Sequence, residues 1–205
     1  MGTDASVVQA ARISNGAVMP DWRGAPDERL INFLADNGHM TPFEHATFKF
    51  YVKAPIFVIR EWQRHRTFSY NELSARYKAL ERDFFWPDKA RVPDPDNRQS
   101  SIDTEDDRLN DSLAENYEDA YNVAWDAYQN MLADGVAREL ARSVLPVGIY
   151  SEMYVTGNFR NWMHFYELRA SKHAQYEIRQ YAHAIGGMIE QKMPLSFAAL
   201  TKGVT

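Results

Sequence analysis

The chain has 205 residues, 45% apolar and 25% charged, with 10 glycines and 9 prolines; this is globular composition, neither disordered nor fibrous, and long enough to bury a real core. Twenty-three basic against 28 acidic residues leave a formal charge of −5, which disfavours bulk nucleic-acid binding but permits a local arginine cluster for an anionic ligand. With no cysteine at all, disulfides, Cys-ligated zinc, iron–sulfur clusters, thiol redox pairs and a cysteine nucleophile are excluded.

The opening MGTDASVVQAAR lacks the basic region and apolar stretch of a signal peptide. No window approaches the roughly 18 apolar residues of a membrane span, so a cytoplasmic protein is expected. Val7 to Ile13 reads as a short first strand, broken by Asn15, Gly16 and Pro20, with a polar stretch to Pro26. Asp27 through Ala35 predicts a helix stopped by Asn37-Gly38. Thr47 to Val52 alternates β-branched and aromatic residues and predicts a strand; Pro55 opens a helix over Ile56 to Gln63. Arg64 to Tyr77 is polar and reads as a helix end plus an ordered loop.

From Trp86 to Arg108 prolines alternate with charges, the pattern of a solvent-facing loop joining two halves of one domain. Leu113, Tyr117, Tyr121, Ala124, Tyr128 and Met131 recur at helical spacing up to Asp134-Gly135. A helix from Val136 to Val144 is stopped by Pro146, a strand follows over Tyr150 to Thr156, and Asn161 to Ala170 is helical. Ser171 is placed to cap the next helix, with Ala174, Ile178, Tyr181, Ile185 and Met188 on its apolar face. Gly186-Gly187 either weakens that helix or admits a close neighbour, and Pro194 ends it before a short tail helix. The expected class is α+β: one domain over 1–205, a small antiparallel or mixed sheet, several long helices, and an exposed loop at 87–108.

The unusual chemistry lies in REWQRHRTFSYNELSARY, residues 60–77. Arg64 and Arg66 set two guanidinium groups beside the imidazole of His65. Guanidinium binds phosphate or carboxylate through paired hydrogen bonds that lysine cannot match. Ser69, Asn71 and Ser74 add neutral donors, and Glu72 can orient an arginine or accept from a ligand. On spacing alone an anion site and a solvated charge run paired with Glu61, Glu72 and Glu81 both stay open. A second, dispersed set comprises Arg138, Glu139, Arg142, Asn158, Arg160, His164, Arg169 and His173; without a fold, interhelical salt bridges and core-edge histidines are the plainer reading. The histidine spacings match no tight zinc pattern, so no metal is expected. GxGxxG, GxxxxGK[ST] and GxSxG are absent.

The segment RHRTFSYNELSARY at 64–77 resembles the signature of the flavin-dependent thymidylate synthases. GHMTPFEH at 38–45, ARELARSVLP at 137–146, GNFRNWMHF at 157–165 and LRASKHAQYEIRQYA at 168–182 extend the likeness over nearly the whole chain. The resemblance implies conversion of deoxyuridine monophosphate (dUMP) to thymidylate (dTMP). Methylenetetrahydrofolate gives the one-carbon unit, and FAD reduced by NADPH gives the hydride. It further implies a homotetramer with active sites at subunit interfaces, in the family's own α+β fold.

Carried over position by position, the likeness gives a flavin-contacting set of His39, Thr41, Arg64, His65, Arg66, Glu72, Asn158, Phe159, Arg160 and His164. The nucleotide-contacting set is Glu61, Trp62, Gln63, Arg64, Glu72, Leu73, Ser74, Ala75, Arg76, Arg142 and Arg169. Arg169 is the expected catalytic residue, stabilising negative charge at N3 and O2 of the uracil so that C5 attacks the folate methylene. Arg76 and Arg142 are expected to neutralise the phosphate. Ser74 has no adjacent histidine–carboxylate relay and is read as a positioning or phosphate-binding group rather than a nucleophile. Glu61 stands where some relatives have glutamine, and His164 where some have asparagine. The competing readings are a non-catalytic nucleotide- or flavin-binding protein and, less consistent with the net charge, a nucleic-acid-binding protein.

Overall fold

The computed structural model describes residues 2–16 and 27–203. In chain order the elements are α1 (Asp4–Arg12), α2 (Glu28–Asp36), β1 (Thr47–Pro55), α3 (Ile56–Trp62), β2 (Ser69–Glu72), β3 (Arg91–Pro93) and β4 (Ser101–Asp103). There follow α4 (Asp107–Ala133), α5 (Arg138–Ala141), β5 (Tyr150–Asn158), α6 (Phe159–Ala170), α7 (Tyr176–Glu190) and α8 (Pro194–Leu200). Short 3-10 turns cover Ile13–Asn15, Thr41–His45 and Arg142–Val144. The strands make a three-stranded sheet in the order β1-β5-β2 and the two-stranded β3-β4. The α+β class is as expected.

The residues group into two compact units. The first takes its described residues from Met1–Phe50, His65–Tyr70 and Val155–Thr205; the second is Tyr51–Arg64 and Asn71–Tyr154. The strands β1, β2 and β5 each contribute residues to both.

In the first unit the expected strand at Val7–Ile13 is instead helix. Thr3 precedes a capped start, its N–H donating to Ser6 Oγ at 3.1 Å, and the two valines Val7 and Val8 are fully buried on one helical face. Burial of β-branched side chains outweighs their modest dislike of helix, about half a kcal/mol each. Pro20 and the polar stretch to Pro26 lie outside the described residues. Asp27 caps α2 by accepting from the N–H of Leu30 at 3.1 Å and also pairs with Arg12 at 3.0 Å, tying α1 to α2. Asp4, buried, accepts from the N–H groups of Leu195 and Ser196 at 3.1 and 2.8 Å and so caps α8 from across the unit. Pro194 at the first turn of α8 needs no such partner.

The helices α6 and α7 pack together, and α8 packs against both α2 and α7. The Cβ of any larger residue at Gly186 would run into the ring of Tyr166, so this glycine serves close helix contact; Gly187 faces open space. The helix α7 starts at Tyr176 with Gln175 at its cap, not Ser171, which instead ends α6. Met188 is exposed; the buried face is Ile178, Ala182, Ile185 and Ile189.

In the second unit the long periodic segment forms α4, 27 residues, as its spacing predicts, though Asp106 caps it a full turn and more before Leu113. Tyr121 stacks on Phe84 at 4.3 Å and donates its hydroxyl to the carbonyl of Phe85 at 2.8 Å; Ile149 completes this small core. The hydroxyl of Tyr128 accepts from the N–H of Leu80 at 3.0 Å. Two expected loops contain strands. Residues 69–72 pair as β2, and within 87–108 the antiparallel hairpin β3-β4 sets Arg91 opposite Asp103, Val92 opposite Ile102 and Pro93 opposite Ser101. Arg91 Nε donates to Ser101 Oγ at 3.1 Å and Lys89 pairs with Asp103 at 2.9 Å across it.

Among the described residues no helix is long and apolar enough to cross a membrane, and no group of three or more His, Asp or Glu side chains is arranged to hold a metal.

Candidate active site

The tripeptide Arg64-His65-Arg66 follows α3 in a turn that sends alternate side chains in opposite senses. Arg64 and Arg66 are exposed, whereas His65 is 8% exposed. The His65 ring meets Phe165 edge-on with centroids 5.0 Å apart, and lies 6.3 Å from the ring of Phe68 and 6.2 Å from that of His164. Phe68 in turn packs on Trp162 at 4.4 Å, and Gly157 leaves the space its ring occupies, since any Cβ there would overlap it. The indole of Trp162 donates to the carbonyl of Phe48 at 3.3 Å, anchoring α6 to β1. An apolar, aromatic wall therefore surrounds the signature histidine.

One polar group enters that wall. Arg169 near the end of α6 donates Nε–H to Nε2 of His65 at 2.9 Å. Tyr70 donates its hydroxyl to the carbonyl of His65 at 2.9 Å. Burial, then the positive charge of Arg169, then His164, drives the His65 pKa down from 6.5 to about 4. The imidazole is thus neutral at pH 7 and serves Arg169 as an acceptor. Burial likewise raises the Tyr70 phenol to about 12 against the smaller opposing pull of Arg169, keeping it a neutral donor.

Beside this pair, still within the first unit, lies a cavity of about 550 Å³ lined by Met40, Thr67, Arg160, Asn161, Met163, His164, Glu167 and Leu200. Asn158 caps α6 by accepting from the N–H of Asn161 at 2.9 Å, and Asn161 donates to the carbonyl of Thr67 at 3.1 Å. These bonds fix the first turn of α6 against the signature segment. Arg160 is paired with Glu44 at 2.6 Å in the turn that follows Thr41. The mixture of thioether and leucine walls with arginine, amide, imidazole and carboxylate groups suits a flat, partly apolar ligand with polar edges.

Of the expected flavin set, Arg160 and His164 line the cavity, and Met40 between His39 and Thr41 lines it too. His39 and Thr41 are exposed, with His39 edge-on to Phe33 at 5.8 Å. Phe159 is fully buried against Phe43 and Phe48, so only its main chain is available to a ligand. Thr67, Asn161, Met163, Glu167 and Leu200 were not singled out from sequence. Their only signal is helical spacing from Arg160 and His164 for those on α6.

Most of the expected nucleotide set lies in the second unit. Glu72 accepts from the hydroxyl of Ser151 at 2.8 Å and from the amide of Gln63 at 3.4 Å. Leu73 donates its N–H to the carbonyl of Glu152 at 2.8 Å, which holds the segment against β5. Ser74 begins a turn: its carbonyl accepts from Tyr77 at 3.0 Å and its hydroxyl from the N–H of Arg76 at 3.4 Å. That hydroxyl therefore supports the turn itself. Ala75 and Trp62 are buried; Tyr77, 83% exposed, packs against little. Arg76 pairs with Glu139 at 3.3 Å, and Arg138 donates to the carbonyl of Tyr77 at 3.3 Å. Arg142 is exposed. Among the described residues, Arg64, Arg66 and Arg142 have no acidic partner, whereas Glu81 is taken by Lys78. Of the pairings the charge-run reading proposed, Glu81 goes to Lys78, Glu72 to Ser151 and Gln63, and Arg76 pairs outside the signature with Glu139. Ser151 was also missed; the available signal was a polar residue at a buried register position of β5, in line with Met153, Val155 and Gly157.

Comparison with known proteins agrees over the full length. The family model described as thymidylate synthase complementing protein matches residues 1–195. A flavin-dependent thymidylate synthase of Kosmotoga olearia is 45% identical over 201 residues, covering 97% of this chain and 86% of that protein. One from Thermus thermophilus is 43% identical over 199 residues, covering 97% and 72%. A crystal structure of a UMP/dUMP methylase from Streptomyces cacaoi bound with 5-Br dUMP superposes with a TM-score of 0.89 at 36% identity, covering 100% of this chain and 92% of that one. With the family model, the relatives' identity and the fold in agreement, the chain belongs to the thymidylate synthase complementing family, the flavin-dependent thymidylate synthases.

Proposed function

We propose that this chain methylates dUMP to dTMP, with 5,10-methylenetetrahydrofolate as one-carbon donor and FAD, reduced by NADPH, as hydride source. FAD supplies the redox chemistry when bound; the chain's own residues bind, orient and polarise. The described cavity fits a flavin by its donor set: Met40, Met163 and Leu200 offer apolar walls, Arg160 a counter-charge for phosphate, and Asn161 and His164 hydrogen bonds. His39, Thr41, Arg64, Arg66, Glu72, Asn158 and the main chains of His65 and Phe159, whose side chains are buried, complete the flavin set of this reading. Glu61, Trp62, Gln63, Arg64, Glu72 to Arg76 and Arg142 hold the nucleotide. Both units belong to one functional domain, and four copies in the cytoplasm form the active assembly.

The observation that carries the reading is the Arg169–His65 hydrogen bond, which sets a guanidinium against a neutral acceptor in a water-poor aromatic wall. A positive charge so held stabilises the anion that grows on N3 and O2 of a uracil when C5 becomes nucleophilic. No cysteine is present to form an adduct at C6 instead. The structural neighbours at 36% identity are UMP/dUMP methylases, so UMP is the alternative substrate to run beside dUMP.

Purified protein reconstituted with FAD should show the oxidised-flavin spectrum. After reduction, adding dUMP and methylenetetrahydrofolate should reoxidise it with stoichiometric dTMP. Absence of flavin binding would overturn the reading; binding without turnover of either nucleotide would favour the non-catalytic alternative.

A further inference from the structure

We propose that His65 is a positioning residue for Arg169: its imidazole, protonated on Nδ1, presents Nε2 as the acceptor that fixes the plane of the guanidinium. The inference rests on the assignment of Arg169 to the reaction.

Arg169 Nε always carries a hydrogen, so at 2.9 Å the partner Nε2 must be the bare nitrogen and the ring proton must sit on Nδ1. A guanidinium is planar. Holding its Nε–H edge therefore sets the plane of its other four N–H donors, which an arginine on four flexible bonds does not otherwise keep.

The choice of histidine also has a chemical reason. A carboxylate at position 65 would fix Arg169 as firmly but would cancel most of its charge. A neutral imidazole fixes the group and leaves the charge for the ligand. The surroundings enforce neutrality: Phe68 and Phe165 exclude water from the ring, and Arg169 itself opposes a second positive charge. The groups facing the ring are Arg169 and His164 from α6, with the Tyr70 hydroxyl on the main-chain carbonyl. None is acidic, so nothing there favours imidazolium. The tripeptide thus divides its labour, with Arg64 and Arg66 outward and His65 inward holding a residue 104 positions away.

Two variants test this in the FAD-loaded enzyme. H65F keeps a flat ring between Phe68 and Phe165 but has no acceptor; H65Q places an amide oxygen near the site of Nε2. H65F should lower kcat by on the order of 10- to 100-fold with the KM for dUMP changed less than about threefold, and H65Q should recover at least about tenfold of that loss. Wild-type kcat in H65F would overturn the proposal, as would equal losses in both variants. Loss of flavin absorbance from H65F would show instead that the imidazole holds the flavin.

If H65F does not fold, 15N-histidine-labelled holoenzyme still decides, its His65 signal assigned by loss in H65Q. The Nδ1–H tautomer, unchanged from pH 8 to 5, is expected. The Nε2–H tautomer, or titration near the ordinary histidine value, would overturn the proposal. Arg169→Ala separates the two levels: near-normal turnover there removes the parent reading, whereas an inactive Arg169→Ala beside a fully active H65F removes only the role of His65.

Discussion

Arg169 in the first unit and Arg76 in the second are both assigned to the nucleotide, and their surroundings differ in what holds each one. Arg169 is half-buried and donates to an imidazole that is itself walled in by Phe68 and Phe165. Arg76 is exposed and rests on a carboxylate, Glu139, that is equally exposed. The first arrangement is set without a ligand; in the proposed function the second would exchange Glu139 for a phosphate. A group that stabilises charge in a transition state gains from being fixed in advance, since reorganisation then costs nothing at the moment of reaction. A group that captures a phosphate needs only charge and reach.

The sharpest way to break that contrast is Arg169→Ala. If the guanidinium acts on the developing charge, kcat for dTMP should fall by about 100- to 1,000-fold, the loss typical for one preorganised donor. The flavin should stay bound, since no cavity-lining residue is removed. Single-turnover dTMP formation alongside the visible spectrum measures both. Near-normal turnover would place Arg169 with Arg76 as a mere binding group, and loss of the flavin would make it a cofactor ligand.

Acid stability probes the same pair through folding. His65 is held near a pKa of about 4 against 6.5 in the unfolded chain, so between these values the unfolded state binds the proton that the folded state refuses. Stability therefore falls as pH drops through this window, by about 3 kcal/mol once pH reaches 4, and is fully retained above 6.5. Urea midpoints from pH 7 to 4.5 should decline more steeply for the native chain than for H65F, which has no group to protonate. Parallel curves would show that His65 is not neutral by constraint, and the preorganised half of the comparison would weaken.

How far each half was legible in sequence follows the same division. The helices with regular apolar spacing, α4 above all, were readable because burial of one face imposes a period on the residues themselves. In α7 the helix was legible but its start and part of its buried face were not. The strands β2, β3 and β4, of three or four residues, were not, because partners distant in sequence define them rather than alternation within them. Val7 and Val8 misled because β-branching marks strands only where tertiary burial does not decide otherwise.

At the site, the signature gave residue names through a family likeness but no geometry. That Arg64 and Arg66 point out while His65 points in depends on Phe68, Phe165 and Trp162, which lie inside the quoted segments but carry no chemistry that would have singled them out. The His65–Arg169 bond joins residues too far apart for any spacing argument. Ser151, which supports Glu72, could have been suspected from its polar side chain in an otherwise buried register, but that pattern marks structural serines equally often.

For the looser region, Arg76→Ala should raise the KM for dUMP by about 10- to 100-fold, the worth of one charge-assisted bond to phosphate, with kcat much less affected. Thermal stability should barely move, since the side chain is more than half exposed. A fall in kcat as large as that of Arg169→Ala, at saturating dUMP, would mean that Arg76 also acts on the reacting ring and that the two regions do the same work.

Glu139→Gln is the smallest expected effect and the finest discriminator. The Arg76–Glu139 pair spans 3.3 Å with 59% and 54% of the two side chains exposed. Such a pair is worth about 0–1 kcal/mol, so the variant should shift Tm by less than about 3 °C. Glu139 competes with the incoming phosphate for one guanidinium. Removing its charge should therefore lower the KM for dUMP, about two- to fivefold at low ionic strength and less in salt, where the pair is already screened. If KM instead rises more than about tenfold, Glu139 does for Arg76 what His65 does for Arg169, orienting it rather than occupying it. A carboxylate would then serve at the phosphate, where a neutralised arginine regains its charge by exchange, while only an uncharged acceptor suits the pyrimidine, where the full charge must be kept throughout.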